Sequence, residues 1–113
     1  MSSAPIEEIK QAFASNELMC HKVIGMLELL ANKVRLRTIC MLMHGEYCVQ
    51  DIVDIAGEGK STNVSQQLRM LRLAGVVEAR RDGKKMLYRL TNEGPVLHLV
   101  EFLKNEYMSH ENP

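Results

Sequence analysis

Apolar residues recur at helical spacing through most of the chain, and one stretch switches to a period of two. Leu18, Val23, Leu27, Leu30 and Ala31 predict a helix from about Asn16. Val34, Leu36, Ile39, Cys40 and Met43 predict the next, ending near His44-Gly45. Val49, Ile52, Val53 and Ala56 predict a shorter one, stopped by Gly57-Glu58-Gly59. Val64, Leu68, Leu71 and Ala74 line one face of a further helix, whose other face carries Thr62, Ser65, Gln66, Arg69 and Arg72. Ser61 or Thr62 is placed to cap its start and Gly75 to end it. Val76–Arg81 and Lys85–Leu90 are then strand-like, and Asp82-Gly83 between them is among the strongest hairpin signals. Val96, Leu97, Val100, Leu103 and Tyr107 predict a last helix entered through Pro95, while Pro5 to Ala14 form a short leading helix or an arm.

Helices, then a two-stranded β-wing, then a helix is the order of a winged helix-turn-helix, a mainly α fold. One domain is expected over 1–113, with 1–15 as N-terminal arm or short helix, 61–75 as recognition helix, 76–90 as wing and 93–109 as C-terminal dimerisation helix. The first and last helices carry more apolar surface than so small a core needs. Leu27 and Leu30 on one, with Leu97, Val100 and Leu103 on the other, are expected to be buried between two subunits. A homodimer of this kind presents two recognition helices about one DNA turn apart.

Charge sharpens this picture. The formal net charge is +0, yet eight basic residues from Lys60 to Leu90 face only Glu78 and Asp82. The remainder is correspondingly acidic, so a field that attracts polyanions is concentrated on one segment. A helix with short polar side chains at its start can enter a major groove about 12 Å wide, where Ser, Asn and Gln reach base edges. Ser61, Thr62, Asn63, Ser65, Gln66, Gln67 and Arg69 are therefore the candidate readers of double-stranded DNA, with Arg80, Arg81, Lys84 and Lys85 as candidate phosphate holders. No apolar signal core opens the chain and no apolar run approaches a membrane span, so no membrane partner is expected. Three cysteines, an odd number, argue against a secreted disulfide framework, and the expected location is the cytoplasm. No Ser-His-Asp order, phosphate loop or carboxylate pair marks an enzyme.

Several ordered blocks resemble the ArsR/SmtB family of winged-helix repressors. Leu30-Ala31-Asn32-Lys33-Val34-Arg35-Leu36-Arg37 is similar to that family's LA-(D/N/H)-P-x-RLR segment, with Lys33 where Pro is usual. Gly45–Ile52, Val64–Leu68 with Leu71–Val77, and Arg80–Gly83 with Tyr88–Leu90 match its later blocks, so the resemblance covers roughly residues 17–108. The turn at Gly57–Lys60 is slightly longer than usual. The resemblance implies a homodimeric repressor that leaves a near-palindromic operator when an inducer binds.

The inducer is open between two chemistries. Cys40 falls where the BigR and HlyU branch keeps a reactive cysteine, which implies sensing of oxidant or persulfide. That branch's partner cysteine in the last helix corresponds to Met108 here, so its disulfide does not carry over. Cys48 stands where Ser normally caps a helix, with Asp51 in the capping-box position, and the field at a helix start favours an anionic sulfur. Cys48 is thus the first candidate thiol, with Cys40 and Cys20 behind it. Metal sensing is the alternative: Cys40 and His44 lie at i, i+4 with Cys48 four further on, a set compatible with a transition metal ion such as zinc. The metal-sensing branch's C-V-C-D motif has only one of its two thiols here, Gln50 replacing the second, and His98, Glu101 and His110 do not reproduce the SmtB-like site. A third reading makes Cys20 and Cys40 small core residues. Functions of other classes are a protein-interaction module, whose complexes would resist salt, and a thiol peroxidase built on Cys48.

Overall fold

Asn32 accepts a hydrogen bond from the Arg35 backbone N–H through its side-chain oxygen at 3.0 Å, starting the helix Lys33–Leu42 (α3) behind a bend at Ala31. The computed structural model describes residues 3–91 and 94–108. Two helices precede α3: Ile6–Ser15 (α1), which buries no residue, and Glu17–Leu30 (α2), which buries only Leu30. After α3 come a two-residue strand Tyr47–Cys48 (β1), the helix Val49–Ile55 (α4), and the helix Ser61–Leu73 (α5). The hairpin Val77–Asp82 (β2) and Lys85–Leu90 (β3) follows, then the helix Pro95–Leu103 (α6), which runs on as a π-helical turn over Lys104–Met108. Among the described residues no helix is long and apolar enough to cross a membrane. Of the expected segment ends, residues 1–2, Glu93, Ser109 and His110 lie outside the described part.

The core lies where α3, α4, α5 and α6 meet the base of the sheet. Ile39, Ile52, Val64, Leu71 and Val100 are fully buried there, and each such side chain contributes roughly 1.5–3 kcal/mol on leaving water. Leu30 and Val100 belong to this intramolecular core, which corrects their assignment to a subunit interface. Leu97 and Leu103 are half-buried, and Leu27 is exposed in the single chain.

The wing has three strands, not two. β1 pairs antiparallel with β3 (Tyr47 opposite Tyr88, Cys48 opposite Leu87), giving the order β1-β3-β2. Two residues are too few to show a period-two pattern, so β1 is silent in the hydrophobic rhythm. At the tip Asp82 pairs with Lys85, so the loop is Gly83-Lys84 rather than Asp82-Gly83. Gly83 has φ +65°, the left-handed value that a two-residue hairpin loop demands at its first position. Thr91 fastens the base of the wing, its hydroxyl donating to the Gly75 carbonyl at 2.9 Å.

The turn between α4 and α5 departs from the expected cap. Lys60, not Ser61 or Thr62, occupies the position before the helix, and no side chain caps it. Glu58 and Gly59 take consecutive left-handed φ values of 53° and 84°, and the Gly59 N–H donates to the Val53 carbonyl at 2.8 Å. This delivers Ser61 and Thr62 already inside the first turn of α5, exposed. Gly57 lets the two helices approach: a Cβ there would lie 2.2 Å from Val64 Cγ2 and 3.0 Å from the Val53 carbonyl oxygen.

Candidate nucleic-acid interface

Helix α5 divides cleanly into two faces. Val64, Gln67, Leu68 and Leu71 are buried, while Ser61, Thr62, Ser65, Gln66, Arg69 and Arg72 are exposed. Among the described residues the exposed side chains make no hydrogen bond or ion pair within the chain, so their polar groups remain available to an external partner.

Gln67 does not belong with them. Its Oε1 accepts from Arg35 Nη1 at 2.5 Å and its Nε2 donates to Asn63 Oδ1 at 3.1 Å, so the amide is committed inward. Asn63 is half-buried and shares that commitment. Both were candidate base readers; Gln67 is an interior residue and Asn63 lies at the margin of the exposed face.

The residue that sequence reasoning missed is Arg35. Besides Gln67, its guanidinium donates through Nε to the Leu29 carbonyl at 2.6 Å and through Nη2 to the Glu28 carbonyl at 3.1 Å. One buried side chain thus satisfies the last carbonyls of α2 and orients α5. An arginine's rigid fork of donors suits this bridging. Arg37 does similar work between α3 and the end of α4, donating to the Ile55 carbonyl at 2.6 Å and the Ala56 carbonyl at 3.2 Å. The signal was the paired arginines in an otherwise apolar helix, where a buried cation needs a polar partner.

On the wing the basic residues separate into two groups. Arg80 is held at the base by Glu46, through Nε to Oε2 at 2.8 Å and Nη2 to Oε1 at 3.2 Å. The bond from Arg80 holds the Glu46 carboxyl below the usual carboxylate range and raises the Arg80 guanidinium in turn. Arg89 is likewise paired with Glu78 at 2.7 Å. Arg81, Lys84 and Lys85 are exposed at the tip, with no ion pair among the described residues. Arg80 therefore leaves the set of uncommitted phosphate holders.

The three cysteines are all free and differently placed. Cys20 is exposed on α2. Cys48 occupies the position before α4 but caps no backbone group; its Sγ donates to the Asp51 carboxylate at 3.3 Å. The thiol's proton is thus turned to the Asp51 carboxylate. Cys40 is half-buried on a cleft of about 690 Å³ between α3, the end of α4 and the Lys104–Asn105 turn. Burial pushes the Cys40 thiol up, and the positive charge of Lys104 acts in the opposite direction.

The expected metal set is not assembled. Among the described residues no three His, Cys, Asp or Glu side chains converge to hold an ion. Cys40 and His44 line the cleft, but Cys48 is turned to Asp51 outside it. His44 Nε2 lies 3.4 Å from Lys104 Nζ, an ammonium where a metal cation would need to sit. His98 is exposed on α6.

Comparison with known proteins fits this arrangement. Residues 32–79, which span α3 to the first half of β2, match the family described as bacterial regulatory protein, arsR family. A biofilm growth-associated repressor of Xylella fastidiosa is 38% identical over 95 residues, 84% of this chain and 82% of that protein. The crystal structure of the transcriptional repressor BigR from Xylella fastidiosa superposes with a TM-score of 0.74 at 34% identity, covering 88% of this chain and 97% of that one. Reduced HlyU from Vibrio cholerae gives a TM-score of 0.75 at 29% identity, covering 83% and 97%. These relatives are regulators of transcription, not enzymes. By sequence and by fold, the chain belongs to the arsR family of bacterial regulatory proteins.

Proposed function

We propose that the chain is a homodimeric transcriptional repressor of the cytoplasm that binds a near-palindromic double-stranded DNA operator. The observation that carries the reading is the split of α5, with Ser61, Thr62, Ser65, Gln66 and Arg69 outward and uncommitted while the opposite face is anchored in the core. In this reading the 61–75 segment enters the major groove and the 76–90 wing lays Arg81, Lys84 and Lys85 on flanking phosphates. The similar Xylella protein is a repressor by name, which supports the direction of control.

Pairing is supported by apolar surface that one chain leaves uncovered. Ile6 and Phe13 on α1 are each 71% exposed, Leu18 on α2 is 68% exposed and Phe102 on α6 is 58% exposed. A cleft of about 540 Å³ between α2 and the start of α6 is lined by Met19, Val23, Met26, Val96 and Leu97. Large apolar side chains left exposed on three helices mark an interaction site, and a second copy of the same helices covers it. Release by an inducer is assigned to a cysteine thiol acted on by oxidant or persulfide. Cys40 is preferred to Cys48, since it lines a cleft while the Cys48 thiol donates to a carboxylate.

The test is a binding comparison on a specific and a random duplex. Gln66→Ala should lose about 1–3 kcal/mol on the specific site alone, the cost of a good base contact. Equal losses on both duplexes would show that α5 does not read bases. Light scattering at micromolar concentration should return a dimer, and a monomer would overturn the pairing. Cys40→Ser should abolish release by persulfide while Cys48→Ser keeps it; the reverse would return the sensing role to Cys48.

A further inference from the structure

The cleft beside Cys40 has the build of a ligand site that reactivity of the thiol alone does not explain. Leu36, Met41, Ile55 and Ala56 supply its apolar walls, and polar groups line it beside them. Those groups are the Cys40 thiol, the His44 imidazole, Tyr47, Asn105, the Lys104 ammonium and the Arg37 guanidinium, the last committed to the Ile55 and Ala56 carbonyls. Lys104 is half-buried, donates only to His44 at 3.4 Å, and forms no ion pair with a carboxylate among the described residues. A half-buried ammonium without a counter-ion among the described residues, beside apolar walls, is complementary to an anion carried on an apolar body. The volume, about 690 Å³, lies within the range of about 300–1,000 Å³ usual for small-molecule sites.

We propose that this cleft is the effector site for a small organic anion, its charged group on Lys104 and His44 and its apolar body against Leu36, Met41 and Ile55. Binding is reversible and needs no bond to sulfur. The inference rests on the reading of the chain as an inducer-released repressor and adds to thiol chemistry at Cys40 a second, reversible ligand in the same cleft. The coupling route is short. Ile55 and Ala56, which line the cleft, close α4, and their carbonyls are held by Arg37 of α3. Immediately beyond them Gly57 packs against Val64 of α5. An occupant that pushes α3 and the Lys104 turn apart therefore acts on the helix pair that aims the DNA-reading face.

The probe is 8-anilinonaphthalene-1-sulfonate, which joins an apolar body to a fixed anion, beside neutral N-phenyl-1-naphthylamine, which has a like body and no charge. Fluorescence titration of the full chain should show that Lys104→Gln weakens the sulfonate at least tenfold and leaves the neutral dye within twofold. Lys104→Arg should restore the sulfonate. In a Cys20→Ser/Cys48→Ser chain, saturating sulfonate should slow alkylation of Cys40 by iodoacetamide at least fivefold. Indifference of the sulfonate to Lys104, or alkylation of Cys40 at an unchanged rate, would place the dye elsewhere and overturn the site. An operator duplex that stays bound at saturating sulfonate would overturn the effector role. Absence of DNA binding altogether would sink the repressor reading, while the fluorescence and alkylation results would still judge the site.

Discussion

Replacing Lys84 with Ala should flatten the salt dependence of DNA binding far more than removing Arg80, although both are cations of one hairpin. Lys84 stands in the exposed tip loop with no ion pair among the described residues, so its charge is available to a phosphate. Arg80 is already neutralised by Glu46 through two hydrogen bonds. Each phosphate neutralised adds about 0.9 to the slope of log affinity against log salt, so two copies in a dimer add about 1.8. Between 50 and 200 mM salt that slope is worth about twelvefold in affinity. The wild-type chain should therefore lose about twelvefold more affinity over this interval than Lys84→Ala. The Arg80→Ala/Glu46→Gln double variant, which removes the pair without leaving a bare carboxylate, should stay near the wild-type slope. Glu46→Gln alone releases the Arg80 charge and should steepen the slope by up to about 1.8. Since the Glu46 carboxyl is held below its usual range by Arg80, the pair is intact at neutral and mildly acidic pH. Fluorescence anisotropy of a labelled random duplex at three salt concentrations measures all four chains. Equal flattening by Lys84→Ala and by the double variant would mean that Arg80 abandons Glu46 for phosphate on DNA, and the division drawn on the wing would fall.

Gly57→Ala should cost about 1–3 kcal/mol by overpacking, since the new Cβ would meet Val64 Cγ2 at 2.2 Å; an unchanged thermal midpoint would refute the close approach. Gln67→Ala should cost about 1–3 kcal/mol in urea unfolding, because Arg35 loses a buried acceptor, and should leave base preference as in wild type. A Gln67→Ala chain that folds normally but reads bases differently would return Gln67 to the DNA face. Alkylation of Cys40 in a Cys20→Ser/Cys48→Ser chain should follow the thiolate, with its inflection above the ordinary thiol range because burial raises Cys40. Lys104→Gln should move that inflection further up, since the lost charge had been lowering it; no movement would separate the two residues.

Element positions were legible wherever a period persisted. The helices α2 to α6 and the β2–β3 hairpin stand where apolar spacing and the glycine punctuation put them. The misses lie where a feature is too short for a period or depends on a distant partner. Strand β1 is two residues long and exists because β3 offers an edge to pair with. The Glu46–Arg80 pair joins residues 34 apart in the chain, and nothing local to either one announces it. An apolar stripe on a terminal helix mixes core and surface residues, and Leu30 and Val100 lie on its core side. Their burial within one chain leaves Phe13, Leu18 and Phe102 as the surplus.

The two adjacent glutamines of α5 show where reading by residue type fails and reading by position succeeds. A helix turns about 100° per residue, so neighbours point in different directions whatever their chemistry. Val64, Leu68 and Leu71 are buried, and residue 67 lies three after the first and four before the last, inside the same stripe. Position alone therefore sends Gln67 to the core and Gln66 outward. Its amide, suited to an adenine edge, drew it into the candidate base readers instead. What makes an interior glutamine tolerable is Arg35, a buried cation that needs an acceptor and finds it at 2.5 Å. The two residues explain each other: without Arg35 the Gln67 amide oxygen would be buried and unsatisfied, and without Gln67 Arg35 would keep only the weak sulfur acceptor of Met70 on α5. Together they tie the C-terminal carbonyls of α2, a helix with an uncovered apolar face, to the helix whose outer side is free to meet DNA. A change in how the end of α2 is held would thereby reach α5 through one guanidinium.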